Sequence, residues 1–381
     1  MYLAIETYFV VCLLLLCFDL VFLALKNRGK NEVYRRNERL AKRVREELAH
    51  YRAEGAFRPD FLPWLTERLG KTRNLLTLMA ELEQEAALRQ QFRGAVFAQI
   101  GTYAKRGGYE QAYYAYVIST FDYSSEKLPR EFAGEFMGFL DSRSLYTFFN
   151  TMNALYEVGQ VNLLVSAVDK VDQRQGFYHK KLLVDGLLSA KVDRPALQAR
   201  LLERFERYSA ATKDCLLDFF RMSRCDISDL CLRLLREEST EDELRYAAMR
   251  YFARTKNDEA RAYFLRILRQ EDSPWLDEML AIQGLGTYSD PAVRGAVKDK
   301  VYSSNWYVRT NAVRYLRDHG LSREEIYAIL ESRDRYTNHS LLYQYCDDRE
   351  MSEYIAQTIA QLEQQDAARR DGATRTQAAP A

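Results

Sequence analysis

The run Asn305-Trp306-Tyr307-Val308-Arg309-Thr310-Asn311-Ala312-Val313-Arg314-Tyr315-Leu316 decides the fold, because its apolar residues fall at helical spacing and the same positions return upstream at a fixed interval. Ala312 is the last rung of a ladder, Leu216, Ala248, Leu280 and Ala312, with 32 residues between rungs. Leu316 ends a second ladder, Phe220, Phe252, Gly284 and Leu316, and a third runs Leu232, Phe264, Ala296 and Ala328. A period of this length is the signature of a repeat architecture.

Punctuation follows the same interval. Asp226, Asp258, Asp290 and Ser322 each precede an apolar-periodic stretch, where a side-chain oxygen accepts from an unpaired amide of the first helical turn. Pro291 stands at the first helical position after Asp290, and Ser322 with Glu325 spells a capping box. Each unit is therefore two helices, one ending near Arg221, Ala253, Gly286 or His319 and one starting at the capping residue. So short a pair cannot bury its apolar faces alone, and neighbours must stack. The expected fold is all-α, an α-solenoid of antiparallel helix pairs over residues 59–365, clearest over 211–332, with no readable register before Asp193. Few breakers, 7 prolines and 17 glycines in 381 residues, agree with helix throughout. The small, polar tail, residues 366–381, is expected to be disordered.

Several of these residues resemble HEAT repeats. The quoted run is similar to their V-R-x-x-A-x-x-x-L pattern, Ser289-Asp290-Pro291 resembles their inter-helix turn, and Leu244-Arg245-Tyr246-Ala247-Ala248 is a weaker copy. Upstream, Ile100-Gly101-Thr102-Tyr103 and Gly108-Tyr109-Glu110-Gln111-Ala112 look more like a tetratricopeptide-type helix pair. The resemblance implies an architecture and leaves the activity open, since HEAT solenoids serve as scaffolds, adaptors and occasionally enzymes.

The N-terminus carries a different signal. Residues 2–25 are apolar apart from Glu6, Thr7 and Asp19 and are followed at once by Lys26, Arg28 and Lys30. About twenty apolar residues at a rise of ~1.5 Å cross a bilayer core of ~30 Å, so a single membrane span is expected. Lys26, Arg28, Lys30, Arg35, Arg36, Arg39, Lys42, Arg43 and Arg45 face only Glu32 and Glu38, which places the N-terminus outside and the solenoid in the cytoplasm of an inner or plasma membrane. Residues 26–58 read as a basic juxtamembrane amphipathic helix and linker, with Val33, Leu40, Val44, Leu48 and Tyr51 on one stripe. Its Arg35, Arg36, Arg39, Lys42 and Arg43 are candidates to face anionic lipid, the alternative being that the helix is a stalk or first cap of the domain behind it. Within the span Asp19 costs roughly 2.5–3.5 kcal/mol if charged, so it is either protonated or pointed to the interface, or paired with another transmembrane helix.

Catalytic and ligand motifs are not recognisable. The four histidines are scattered, Gly284-Leu285-Gly286 lacks the third glycine of a dinucleotide loop, and Cys215, Cys225, Cys231 and Cys346 show no C-x-x-C and read as reduced core thiols. No metal or cofactor is expected, and a net charge of +1 gives no footprint for nucleic acid. Tyr109, Tyr113 and Tyr116 share a helical face that packs one helix on the next or serves as an interface. By the HEAT resemblance the second helix of each pair lines a groove, and Arg266, Arg269, Arg294 and Lys298 there could hold an acidic ligand, although a solvated, balanced face is the plainer reading and makes Arg294→Ala nearly neutral. The expectation is a membrane-anchored, non-enzymatic scaffold for a protein partner such as a membrane enzyme or transporter, for example a glycosyltransferase. The alternatives are a HEAT-like lyase or glycosylase, or a binder of anionic lipid or nucleic acid through the basic segment.

Overall fold

The computed structural model describes residues 16–19, 35, 38–39, 42–61, 64, 93–94, 96–121, 128–174 and 179–377. Among them the regular structure is helical and there is no strand. No described helix is long and apolar enough to cross a membrane. The expected span over residues 1–25 lies outside the described residues except for a helical stretch, 16–19, whose Leu16, Phe18 and Asp19 are exposed.

The chain divides into two compact units, Met1–Arg204 and Phe205–Ala381. The first contains α1 (Ile100–Lys105), α2 (Tyr109–Ser119), α3 (Arg130–Gly138), α4 (Leu145–Val158), α5 (Val161–Gln173), α6 (Lys180–Ser189) and α7 (Arg194–Arg204). Helices α2, α4 and α6 pack in succession as one layer, and α1, α3, α5 and α7 as a second. Their core is aromatic: Tyr103 and Tyr114 stack at 4.4 Å, the Tyr114 hydroxyl donates to the Val96 carbonyl at 2.7 Å, and Phe132, Phe136 and Phe139 continue the chain of rings. Gly159 ends α4 at φ 63°, and a Cβ there would meet the Lys191 carbonyl oxygen at 1.8 Å, so both the turn and the close approach require glycine.

The second unit holds α8 (Ala210–Met222), α9 (Ser228–Arg236), α10 (Asp242–Phe252), α11 (Asp258–Arg269), α12 (Trp275–Gly284), α13 (Pro291–Asp299), α14 (Trp306–Asp318), α15 (Arg323–Leu330), α16 (Arg335–Gln344) and α17 (Arg349–Gln377). The even-numbered helices α8 to α16 pack each on the next, α9, α11 and α13 do the same, and α15 packs on α17. This order, helix pairs stacked in two layers, is consistent with an α-solenoid.

The inner ladders explain the stacking. Leu216, Ala248, Leu280 and Ala312 are all buried, as are Phe220, Phe252 and Leu316. Gly284 breaks the second series for a steric reason: a Cβ there would lie 2.3 Å from the Phe264 ring, so the phenyl of α11 occupies the space that a side chain of α12 would need. The third ladder drifts. Leu232 and Phe264 are buried, Ala296 is half-buried and Ala328 is exposed, because α15 turns Ile326, Ile329 and Leu330 inward instead.

Capping matches the sequence at two of four sites. Asp290 accepts from the Val293 amide with Pro291 behind it, and Ser322 and Glu325 form the reciprocal capping box. In α11 the cap is Asn257, accepting from Ala260, with Asp258 already in the first turn. In α9 Asp226 accepts from Ser228 one residue early. Helix α17 is described to Gln377, its last turns filled by Gln, Ala, Arg and Asp with a single glycine.

Two substitutions test this packing. Leu280→Asp places an unpaired charge in a site that is 4% exposed and should abolish the cooperative unfolding of the second unit in urea. Gly284→Ala must displace the Phe264 ring and should cost about 1–3 kcal/mol by the same measurement, with Phe264→Leu restoring part of the loss.

Candidate functional site

Basic residues of the second layer serve the stack itself. Arg294 of α13 makes a two-pronged contact with Glu325 of α15, at 2.6 and 3.2 Å, and donates to the carbonyls of His319 and Gly320, both at 3.2 Å, beyond the end of α14. Arg261 of α11 reaches the capping Asp290 of α13 in the same way, at 2.7 and 3.2 Å. Arg236 pairs with Glu259, and Arg323 with Glu350. Successive second-layer helices are thus joined by arginine to carboxylate, one link per step.

Tyrosines form a parallel series. The Tyr251 hydroxyl lies at the start of α9, donating to Asp226 at 3.2 Å and accepting from the Ile227 amide, also at 3.2 Å. Tyr288 accepts from the Asn257 amide and donates to its carbonyl, while Tyr315 donates to the Tyr288 carbonyl at 2.6 Å.

The proposed acidic-ligand groove is therefore not assembled as four open cations. Arg294 is committed to Glu325 and two carbonyls, so its removal, read from the sequence as nearly neutral, would leave a carboxylate and two helix-end carbonyls without their donor. Lys298 is half-buried and helps to hold the Glu325 carboxyl below its usual range. Arg266 is exposed with its guanidinium over the Tyr263 ring at 5.1 Å, and Arg269 is exposed at the end of α11.

The other expected residues separate as well. Arg35, Arg39 and Lys42 are exposed, and Lys42 sits 3.9 Å from Glu46. Arg36 lies outside the described residues. Arg43 bonds Asp60 at 2.8 Å and covers the Trp64 ring at 4.1 Å, so it is tied to the following segment instead of facing outward. The apolar stripe behind it, Val44 and Leu48, is buried, and the Tyr51 ring meets Phe57 at 4.8 Å in a tilted contact.

On α2 the core side belongs to Tyr114, while Tyr109 is 75% exposed and Tyr116 is exposed. Tyr113 lies 6.4 Å from Tyr116, and burial with the neighbouring Tyr116 and Tyr103 pushes its hydroxyl up to about 12. Of the two readings of this face, the exposure of Tyr109 and Tyr116 leaves those two rings open to a contact, while Tyr113 is half-buried. Leu145 and Tyr146 at the start of α4 are exposed too.

A larger aromatic surface in the second unit escapes motif reading. Trp275 stacks on Tyr307 at 5.5 Å, Trp306 meets Tyr307 edge-on at 5.0 Å, and Trp306 meets Tyr343 at 6.1 Å. These rings connect α12, α14 and α16, and between 43% and 52% of each remains exposed. The signal was available in the outward positions: Trp275 and Tyr307 are themselves 32 residues apart, as are Asn311 and Tyr343. Beneath the row, the carboxylates of α12 are turned inward, Asp277 to Arg245 at 2.7 Å and Glu278 to Lys300.

Among the described residues no three His, Cys, Asp or Glu side chains are placed to hold a metal ion. Cys215 and Cys231 are buried thiols, whereas Cys346 is exposed. An open cleft of about 470 Å³ in the first unit is lined by Asp141, Arg143, Lys170 and Arg174. Two of its cations are committed, Lys170 to Asp141 at 2.6 Å and Arg174 to the carbonyls of Leu140 and Ser142. The chain matches no protein-family model, and no curated protein is significantly similar to it.

The arginine links carry a pH signature. The Arg261 guanidinium holds Asp290 below its usual value, and Arg294 does the same to Glu325. A carboxyl depressed in the folded state stabilises above its unfolded pKa, about 4, and loses that contribution as pH falls through the folded value. The urea midpoint should therefore drop below about pH 4, and Asp290→Asn with Glu325→Gln should flatten that drop. At neutral pH, Arg294→Ala should cost on the order of 1–3 kcal/mol.

Proposed function

We infer that this chain is a membrane-tethered scaffold: a HEAT-type α-solenoid held at the cytoplasmic face of a membrane by its N-terminal apolar segment, where it binds a protein partner. The observation that carries the binding role is the aromatic row of α12, α14 and α16. Trp, Tyr and Arg dominate the energetics of protein recognition, because they supply large contact area for few rotatable bonds. Rings already stacked on one another lose little further freedom on docking. Tethering rests on the apolar run through residue 25 and the basic residues behind it. The exposed Arg35, Arg39 and Lys42 suit anionic head groups just behind such a span. The partner is read as another membrane protein or its cytoplasmic domain, since a tether confines the solenoid to that surface.

Topology and partner are separable by experiment. A C-terminal reporter should be active in the cytoplasm, and protease outside intact cells should leave the domain whole; digestion from outside would overturn the reading. Photocrosslinking from residues across both units in native membranes should yield a protein adduct. Asp19→Leu should preserve membrane insertion while weakening copurification of that adduct, if the carboxyl pairs with a partner helix.

A further inference from the structure

We propose that the row Trp275–Tyr307–Trp306–Tyr343 is the docking surface for a carboxylate-bearing peptide segment with apolar side chains, supplied by the protein partner. The inference rests on the scaffold reading and names the surface and the chemistry of what it takes.

The outward stripes of three consecutive first-layer helices define the surface. On α12 the stripe is Trp275, Met279 and Gln283; on α14 it is Tyr307, Asn311 and Arg314; on α16 it is Arg335, His339 and Tyr343. Each set follows i, i+4, i+7 or i+8 spacing and lies along one helix face. Amides join the first two stripes, Gln283 donating to Asn311 at 3.2 Å, and Asn311 donating to the Tyr307 carbonyl at 2.8 Å. The face thus offers rings, amides and cations in a fixed arrangement.

Its charge is one-sided. Asp277 and Glu278 of α12 are buried and paired, α16 contains no Asp or Glu, and the only carboxylate of α14, Asp318, is held by Arg317 at 2.8 Å. Arg314 and Arg335 are exposed and carry no ion pair among the described residues. The remaining carboxylates around the face lie at helix ends: Glu271 and Asp272 before α12, Asp334, which caps α16 by accepting from the Tyr336 and Thr337 amides, and Asp347 and Asp348 after α16. A ligand that lays apolar side chains on the rings and carboxylates on Arg314 and Arg335 satisfies both features, whereas a basic segment would meet two unpaired cations. The rings favour a peptide over lipid head groups: they lie packed against each other, one pair stacked and two edge-on, and about half covered, instead of projecting singly as wedges.

The test uses the purified full-length chain in detergent against a phage-displayed library of random dodecapeptides. Selected peptides should combine Asp or Glu with Leu, Phe or Trp. Their affinity should fall more than about tenfold for Trp275→Ala with Trp306→Ala, yet be largely kept for the Phe pair. Arg314→Glu with Arg335→Glu should weaken the acidic peptides by about tenfold or more and turn the selection toward Lys and Arg. Thermal unfolding of each variant, followed by circular dichroism, separates lost binding from lost fold. Peptides without acidic enrichment, or unchanged affinity in the alanine pair, would overturn the proposal. So would a failure to select peptides while the chain binds phosphatidylcholine–phosphatidylglycerol vesicles through the same two tryptophans. If only this inference fails, crosslinks in native membranes still reach a protein from another surface, such as Tyr109 and Tyr116; if the scaffold reading fails, no position yields a protein adduct.

Discussion

No helix of this chain can hide its apolar face by itself, and that constraint orders everything else in the second unit. Leu216, Ala248, Leu280 and Ala312 are buried, and each lies on a first-layer helix packed between its first-layer neighbours and the second layer. Since the cover comes from the neighbour, the neighbour's position must be fixed, and the directional links do this. Arg261 to Asp290 and Arg294 to Glu325 tie an arginine to a cap or capping-box residue one step on, so one carboxylate both starts its own helix and receives the preceding one. Apolar burial supplies most of the stabilisation, while these bonds set spacing and angle.

How far the fold could be read from the sequence follows from that division. The inward ladders were legible because stacking imposes a constant interval on positions that share one neighbour. Where the interval changes, the signal fades: first-layer helices begin at Tyr109, Leu145 and Lys180 in the first unit, with wider steps than Ala210, Asp242, Trp275 and Trp306 in the second. The third ladder fails at Ala296 and Ala328 because the inward register position of α13 and α15 is the next residue, Val297 and Ile329, both fully buried. Caps were read within one residue, since Asn257 and Asp258 are both good caps and only geometry separates them.

The functional surfaces were less legible, for a different reason. Composition and spacing mark a residue as basic or aromatic but do not show where its side chain is spent. Arg294 and Arg266 look alike as basic residues of second-layer helices, yet one is enclosed by Glu325 and two carbonyls and the other lies open above Tyr263. Tyr114 and Tyr116 stand two residues apart, the first buried in the aromatic core and the second exposed. Helical spacing groups Tyr109, Tyr113 and Tyr116 correctly on one face; which way that face points depends on α4, whose Asn150 donates to the Ala112 carbonyl and fixes the pairing.

An architecture that commits Arg236, Arg261, Arg294 and Arg323 to holding the stack leaves recognition to positions whose side chains have no such duty. In the first layer these are the outward stripes, which inherit the 32-residue register of the core behind them, as Trp275 with Tyr307 and Asn311 with Tyr343 show. Exposed indoles on a stable surface are a liability for association with themselves or with lipid, and an aromatic patch of this kind usually marks a contact site. Here the rings brace one another across three helices, so the platform is as rigid as the stack that carries it. Its geometry is coupled to the core: rotating α14 to expose Ala312 would also separate Tyr307 from Trp275. The residues that keep the solenoid regular are therefore the ones that keep its aromatic surface continuous.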